Sequence, residues 1–235
     1  MNLYILVEGR STERKVYPKM LTTFLEGQLQ QVDRLTDVSN NHFFLLTANG
    51  YPRIFTTILG NTIQDINAIN SFDYLVICID TDEGSVADRK EELTRHLQRL
   101  KEQNIQLNDR CKIKLVAQNR CIETWFLGNK TVYKSNPQSE YLRRYQKFYN
   151  VSRNDPELLP VIAGFDTHAA FHFDYLREML AARNIRYSKK HPRDVAELHY
   201  LQALVERSQK DGHLASFRDF YDFCKQLHTE LVPHK

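Results

Sequence analysis

The sequence predicts an α/β fold, with a mostly parallel four-stranded sheet, flanking helices and a C-terminal helical appendage. Three observations carry that reading. Short apolar runs rich in β-branched residues alternate with longer stretches of helical periodicity over residues 1–127. Acidic residues collect directly after three of those runs, the end of a parallel strand at which ligands bind. From Gly128 onward buried-strand patterns stop while helical ones continue, so residues 128–235 read as a linker and helical appendage.

Residues 3–7 form an apolar strand that meets Glu8-Gly9-Arg10-Ser11-Thr12-Glu13 at once. Gly9 permits a tight turn, Ser11 or Thr12 can cap a helix, and Glu13 in the first turn complements the helix dipole. Val16, Tyr17, Met20, Leu21, Phe24 and Leu25 share one helical face, Pro18 must fall in the first turns or kink the helix, and Gly27 lies near its end. After a polar stretch over 28–41, residues 42–48 are the second strand, Asn49-Gly50 a turn, and Ile54, Ile58, Ile63, Ile66 and Ile69 recur at roughly helical spacing. The third strand, residues 74–80, begins with six apolar or aromatic residues in a row and reads as buried on both faces. A charged helix over 85–103 points Leu93, Leu97 and Leu100 inward, and residues 111–117 are the fourth strand. Its tip runs into a short helix in which Glu123 neighbours the sole tryptophan, Trp125. Beyond the Tyr-, Lys- and Pro-rich stretch 129–160, helices are expected near 167–184, 192–208 and 216–227.

Bulk properties narrow the function. In 235 residues, 42% hydrophobic and 26% charged composition is that of a soluble globular protein, and no apolar run reaches bilayer length or forms a signal peptide, so a cytoplasmic protein without membrane contact is expected. Cys78, Cys111, Cys121 and Cys224 form no Cys-x-x-Cys pair and read as core thiols. The nine histidines show no zinc spacing; His168 and His172, four apart among aromatics, favour a packed role. No Gly-x-x-x-x-Gly-Lys loop or Gly-x-Ser-x-Gly elbow is present. A net charge of +3 is too small to argue for a polyanionic partner, so local clusters must.

The acids are Glu8 after the first strand, Asp80 and Asp82 after the third, and Glu123 after the fourth. In a parallel sheet these tips open on one edge. Crowded carboxylates repel one another, and an oxygen-only donor set suits magnesium or manganese rather than zinc; solvated loop acids are the alternative. For Glu123, an acid in a first helical turn is stabilising on dipole grounds alone. Lys189 and Lys190, in a loop before His191-Pro192, could neutralise charge on a phosphoryl group or be ordinary surface lysines. Arg10, Arg14 and Lys15 border the first acidic loop. With Arg143, Arg144 and Lys147, interleaved with Tyr141, Tyr145, Phe148 and Tyr149, they could track a phosphate backbone, although a helix with core aromatics explains the second group equally well.

Val7-Glu8-Gly9 followed, in order, by Asp80-Thr81-Asp82 after a hydrophobic strand resembles the Toprim family of topoisomerases, bacterial primases, RNA-maturation nucleases and overcoming-lysogenization-defect nucleases. The likeness covers residues 1–127. The segment from Ile122 to Leu127, and Tyr187-Ser188-Lys189-Lys190 before a helix, look similar to parts of small Toprim-like proteins of bacterial anti-phage systems. Topoisomerase and primase members need further domains, so the resemblance implies a metal-dependent nuclease, a phosphodiester hydrolase of DNA or RNA. It implies Mg2+ or Mn2+ on Glu8, Asp80 and Asp82, a second cation near Glu13 or Glu123, and Glu8 alternatively as general acid or base. It further implies a role as a defence effector with an ATPase or sensor partner. One departure stands out: Glu13 lies five residues after Glu8, whereas nuclease-type members often carry an acid four residues after that glutamate. Two other readings stay open, a degenerate Toprim module that only binds nucleic acid or assembles a complex, and a phosphatase or nucleotidyl-transfer enzyme acting on a small phosphorylated ligand.

Overall fold

The computed structural model describes residues 1–232. The chain divides into two compact units, one comprising Met1–Ile79, Val86–Ala117 and the chain from Phe223, the other Asp80–Ser85 and Gln118–Asp222.

The first unit is built on a five-stranded sheet in the order β2-β3-β1-β4-β5, formed by β1 (Asn2–Val7), β2 (Gln30–Val32), β3 (His42–Thr47), β4 (Tyr74–Asp80) and β5 (Lys112–Gln118). The strands run parallel: Val7 of β1 is opposite Thr47 on one side and Cys78 on the other. Beside β4, the N–H of Lys112 donates to the Asp73 carbonyl at 2.9 Å as β5 begins. Central strands β1 and β4 are buried over nearly their whole length, which is why their residues read as unbroken apolar runs. Tyr4, Leu6, Leu75, Ile77 and Ile79 supply one face and pack with Ile54, Leu59, Ile63, Ile66 and Leu93 from the π-helical turn Ile54–Ile58, α2 (Leu59–Ile69) and α3 (Val86–Glu102). The other face carries α1 (Glu13–Phe24), whose Tyr17 hydroxyl bonds the buried Cys78 thiol.

The expectation of four strands is one short. Gln30–Val32 forms β2 on the outer edge, with Gln30 opposite His42 and Val32 opposite Phe44. Three residues, two polar and both of those exposed, leave no alternation for periodicity to register. Helix α1 contains Pro18 and ends as Gly27 suggests: Glu26 and Gly27 adopt φ of 50° and 73°, and the Gly27 N–H returns to the Thr22 carbonyl at 2.9 Å. That bond satisfies a helix-end carbonyl, and glycine meets the backbone requirement without steric cost.

Asn2, 3% exposed, clips the opposite end of the sheet. Its amide nitrogen donates to Ser39 O at 2.6 Å and Ser71 O at 2.8 Å, its side-chain oxygen accepts from His42 N at 3.0 Å, and its own N–H donates to Asp73 Oδ2 at 2.6 Å. Asn2→Ala leaves two carbonyls and an N–H, all part-buried, without these partners, so it should cost about 1–2 kcal/mol, read as a lower urea midpoint at unchanged m-value.

The second unit is helical: α4 (Ile122–Phe126), α5 (Glu140–Phe148), α6 (His168–Ala181), α7 (Leu198–Lys210) and the start of α8 (Ala215–Leu231). Ser139 and Thr167 cap α5 and α6 by accepting from Leu142 N and Ala170 N. Trp125, Phe126, Phe171, Tyr175, Tyr200, Phe217 and Phe220 are buried and form its aromatic core. Among the described residues no helix is long and apolar enough to cross a membrane.

Candidate acidic site

The tip of β1 belongs to the first unit. Glu8 continues the ladder past the strand end: its N–H donates to the Cys78 carbonyl at 3.1 Å, and its own carbonyl accepts from Gly50 N at 2.9 Å. Its backbone is thereby fixed by β4 on one side and by the turn after β3 on the other, while its side chain is half-buried. The extra residue before Glu13 does not carry that carboxylate away from the loop. Glu13 is buried and folds back over Gly9, so closely that a Cβ on Gly9 would lie 2.3 Å from both carboxylate oxygens. Burial, and after it the Glu13 charge, raises the Cys78 thiol. Gly9→Ala should therefore displace the Glu13 carboxylate while changing stability by less than about 1 kcal/mol, since the obstructing group is the end of a flexible side chain; the altered position is readable in a crystal structure of the variant. Arg10 bonds Asn49 through its Nε, and Arg14 and Lys15 are exposed on α1.

The tip of β4 belongs to the second unit, where it is bound to the tip of β5. Thr81 N donates to Gln118 O at 3.0 Å, Asp82 N to Arg120 O at 2.9 Å, and Arg120 N to Thr81 Oγ1 at 2.8 Å. The Arg120 guanidinium donates to the carbonyls of Asp82 and Gly84 at 3.2 and 3.0 Å, and Gly84 N closes a turn onto Thr81 O at 2.9 Å. Asp82 itself adopts φ 52°, in the left-handed region that Asp tolerates better than most residues. Asp80 and Asp82 are half-buried, with fully buried Thr81 between them. Glu83, the next acid, accepts from the His168 backbone N–H at 2.8 Å and meets the His168 ring. Burial works against its charge, but the His168 backbone and ring outweigh it and hold the Glu83 carboxyl below its ordinary range.

Glu123, 1% exposed, sits in the first turn of α4 and accepts from the Tyr187 hydroxyl at 3.1 Å. The buried Cys121 thiol is pushed well up, first by desolvation and then by the carboxylates of Glu123 and Asp80. Both negative groups thus act on one sulfur. Behind them His172 is fully buried, with Nδ1 2.8 Å from Thr124 Oγ1 and Nε2 3.1 Å from the Leu159 carbonyl. A carbonyl only accepts, so Nε2 carries the hydrogen and Nδ1 receives the Thr124 hydroxyl. Both nitrogens are engaged, which fits a structural histidine and not a metal ligand. Lys189 and Lys190 are exposed in the turn closed by His191 N to Ser188 O at 2.9 Å, and the Lys189 ammonium lies 5.8 Å from the centre of the Phe173 ring.

The basic group on α5 is divided. Tyr145 is a core residue whose hydroxyl donates to Asp174 at 2.8 Å, whereas Tyr141 and Phe148 are exposed. Arg143 donates to the carbonyls of Pro137 and Gln138, and Arg144 to that of Ala163, so both help fix neighbouring loops; Lys147 is exposed. Glu157, 6% exposed, is a buried acid that no sequence motif marks. It accepts from Ser216 N at 3.0 Å and Ser216 Oγ at 2.5 Å, while Ser216 Oγ accepts from Trp125 Nε1 at 2.8 Å and Asn119 N at 3.1 Å. Burial raises its carboxyl despite those donors. Its local signal, Asp155-Pro156-Glu157, describes only a capped turn; the partners that matter lie 38 and 59 residues away.

Among the described residues no group of three or more His, Cys, Asp or Glu side chains is already gathered to hold a metal ion. A hard cation that keeps most of its waters and binds through one or two carboxylates plus substrate phosphate needs no such group. The half-buried pair Asp80 and Asp82 suits that type of site. No protein-family model, curated protein or solved structure matches the chain.

Proposed function

We propose that this chain is a Toprim-like hydrolase of nucleic-acid phosphodiesters that works with magnesium or manganese, Asp80 and Asp82 being its cation ligands. The observation supporting this is the rigidity with which the two carboxylates are presented. The backbone around them is hydrogen-bonded to the β5 tip at Thr81 and Asp82, gripped by Arg120, and carries a non-glycine residue at positive φ. A solvated loop needs none of this; a site that must hold ligands to within a fraction of an ångström does. The bound cation would lower the pKa of a water and offset charge on the phosphoryl oxygens. In this reading Glu8 serves as general base or further ligand, Glu13 and Glu123 as acids for a second cation, and Lys189 or Lys190 faces the phosphate. Arg10, Arg14, Lys15 and the exposed face of α5 with Lys147 serve the strand. A role as anti-phage effector under a separate ATPase or sensor rests on the resemblance alone. The second reading, a degenerate Toprim module that binds or assembles without cleaving, is favoured by the lack of a ready three-ligand group among the described residues.

Calorimetric titration with manganese separates them. Saturable binding by the parent that disappears in Asp80→Ala plus Asp82→Ala, with circular dichroism unchanged, supports the hydrolase. Absence of binding even with an oligonucleotide present rejects it in favour of the assembly module.

A further inference from the structure

The second unit holds a cleft of about 870 Å³ that none of these roles uses, lined by Arg177, Ala181, Asn184, Ile185, Arg186, Tyr187, Ser188 and His191. It lies between the end of α6 and the segment leading to the turn at Ser188–His191. Its volume is in the range of sites that enclose small organic ligands. Ala181, Ile185 and Tyr187 offer apolar surface, while Arg186, Ser188 and His191 bring a guanidinium, a hydroxyl and an imidazole. The carboxylates nearest to it along α6 are already compensated: Arg177 is 2.5 Å from Asp174 and 3.8 Å from Glu178, and these also accept from Tyr145 and Ser139. The end of α6 is closed as well, because Ile185 N donates to Leu180 O at 3.0 Å with Asn184 at φ 61°. The α6 carboxylates Asp174 and Glu178 are thus engaged by groups other than Arg186. Tyr187 links this cleft to the acids, since its ring lines the cleft and its hydroxyl donates to Glu123.

We infer that the cleft binds a nucleoside monophosphate unit, with phosphate on Arg186 and His191 and base against Ala181 and Ile185. A flat heterocycle needs apolar walls and its phosphate needs a planar donor fork, and residues of both kinds line this one cleft. The inference extends the nucleic-acid reading above, but it requires neither a cation at Asp80 nor hydrolysis.

The test is calorimetry on the full chain with adenosine 5′-monophosphate, adenosine, inorganic phosphate and a tetradeoxyadenylate carrying a 5′-phosphate. The monophosphate should bind at least tenfold more tightly than adenosine or phosphate alone. Arg186→Ala plus His191→Ala, both exposed, should weaken it at least tenfold at unchanged melting temperature, whereas Asp80→Asn plus Asp82→Asn should leave it unchanged. A tetranucleotide that binds more tightly than the monophosphate identifies a strand as the source; equal or weaker binding identifies a free nucleotide. Equal affinity for monophosphate and adenosine, or indifference to the Arg186 and His191 changes, overturns the inference while leaving the manganese result to decide the acidic site separately.

Discussion

Asp80→Asn combined with Asp82→Asn is expected to lower phosphodiester hydrolysis on the order of 10³-fold, with nucleic-acid binding retained or slightly tightened. Asparagine keeps the size of each side chain and leaves the surrounding scaffold intact, because the bonds that fix this turn run through the backbone of Thr81, Asp82 and Gly84, the Thr81 hydroxyl and the Arg120 guanidinium. The substitution removes two negative charges at nearly constant side-chain volume. Charge is what a hard cation needs, so catalysis should suffer; a polyanion is repelled by the same charge, so its binding should not. Single-turnover cleavage of a labelled oligonucleotide at saturating protein, beside filter binding of the same oligonucleotide, reads the two quantities separately. Full activity in the double variant would remove Asp80 and Asp82 from the chemistry. Loss of cleavage and binding together would mean that the turn holds nucleic acid rather than metal.

The parts of the fold legible in the sequence are those written in local periodicity. β1 and β4 show as uninterrupted apolar runs because both faces are covered, and α3 shows through Leu93, Leu97 and Leu100 on one side of a charged helix. β2 has no such signal, since an exposed three-residue edge strand is held by backbone pairing with β3 and not by its side chains. For the acids, the motifs indicate which strand tips carry carboxylates, but not how each is held. The return of Glu13 over Gly9 depends on the course of a loop, and the grip of Arg120 on Asp82 and Gly84 joins residues 38 and 36 positions apart. Glu157 is the extreme case, an acid whose whole environment, Ser216, Asn119 and through them Trp125, is assembled by tertiary structure.

Acid should weaken this protein through His172. Its ring is buried and neutral, pushed down to about 4 from the ordinary 6.5 mainly by desolvation, with the charges of His168 and Arg120 acting in the same direction and the Leu159 carbonyl and Glu83 opposing. The unfolded chain therefore takes up a proton at this residue near pH 6.5, and the folded chain only near pH 4. Stability is fully present above pH 6.5, falls as the pH is lowered through that window, and levels off below about 4, a loss of up to about 3 kcal/mol from this one group. The structural consequence reaches the candidate site. Protonating Nδ1 destroys the acceptor for the Thr124 hydroxyl, and Thr124 belongs to the same five-residue helix as Glu123. Urea unfolding of the parent and of His172→Gln between pH 7.5 and 4 checks the prediction. Glutamine cannot take up the proton, so the stability gap between the two proteins should narrow by about 2–3 kcal/mol as the pH falls. A gap that stays constant across the range would show that His172 is not the buried neutral group its two hydrogen bonds describe.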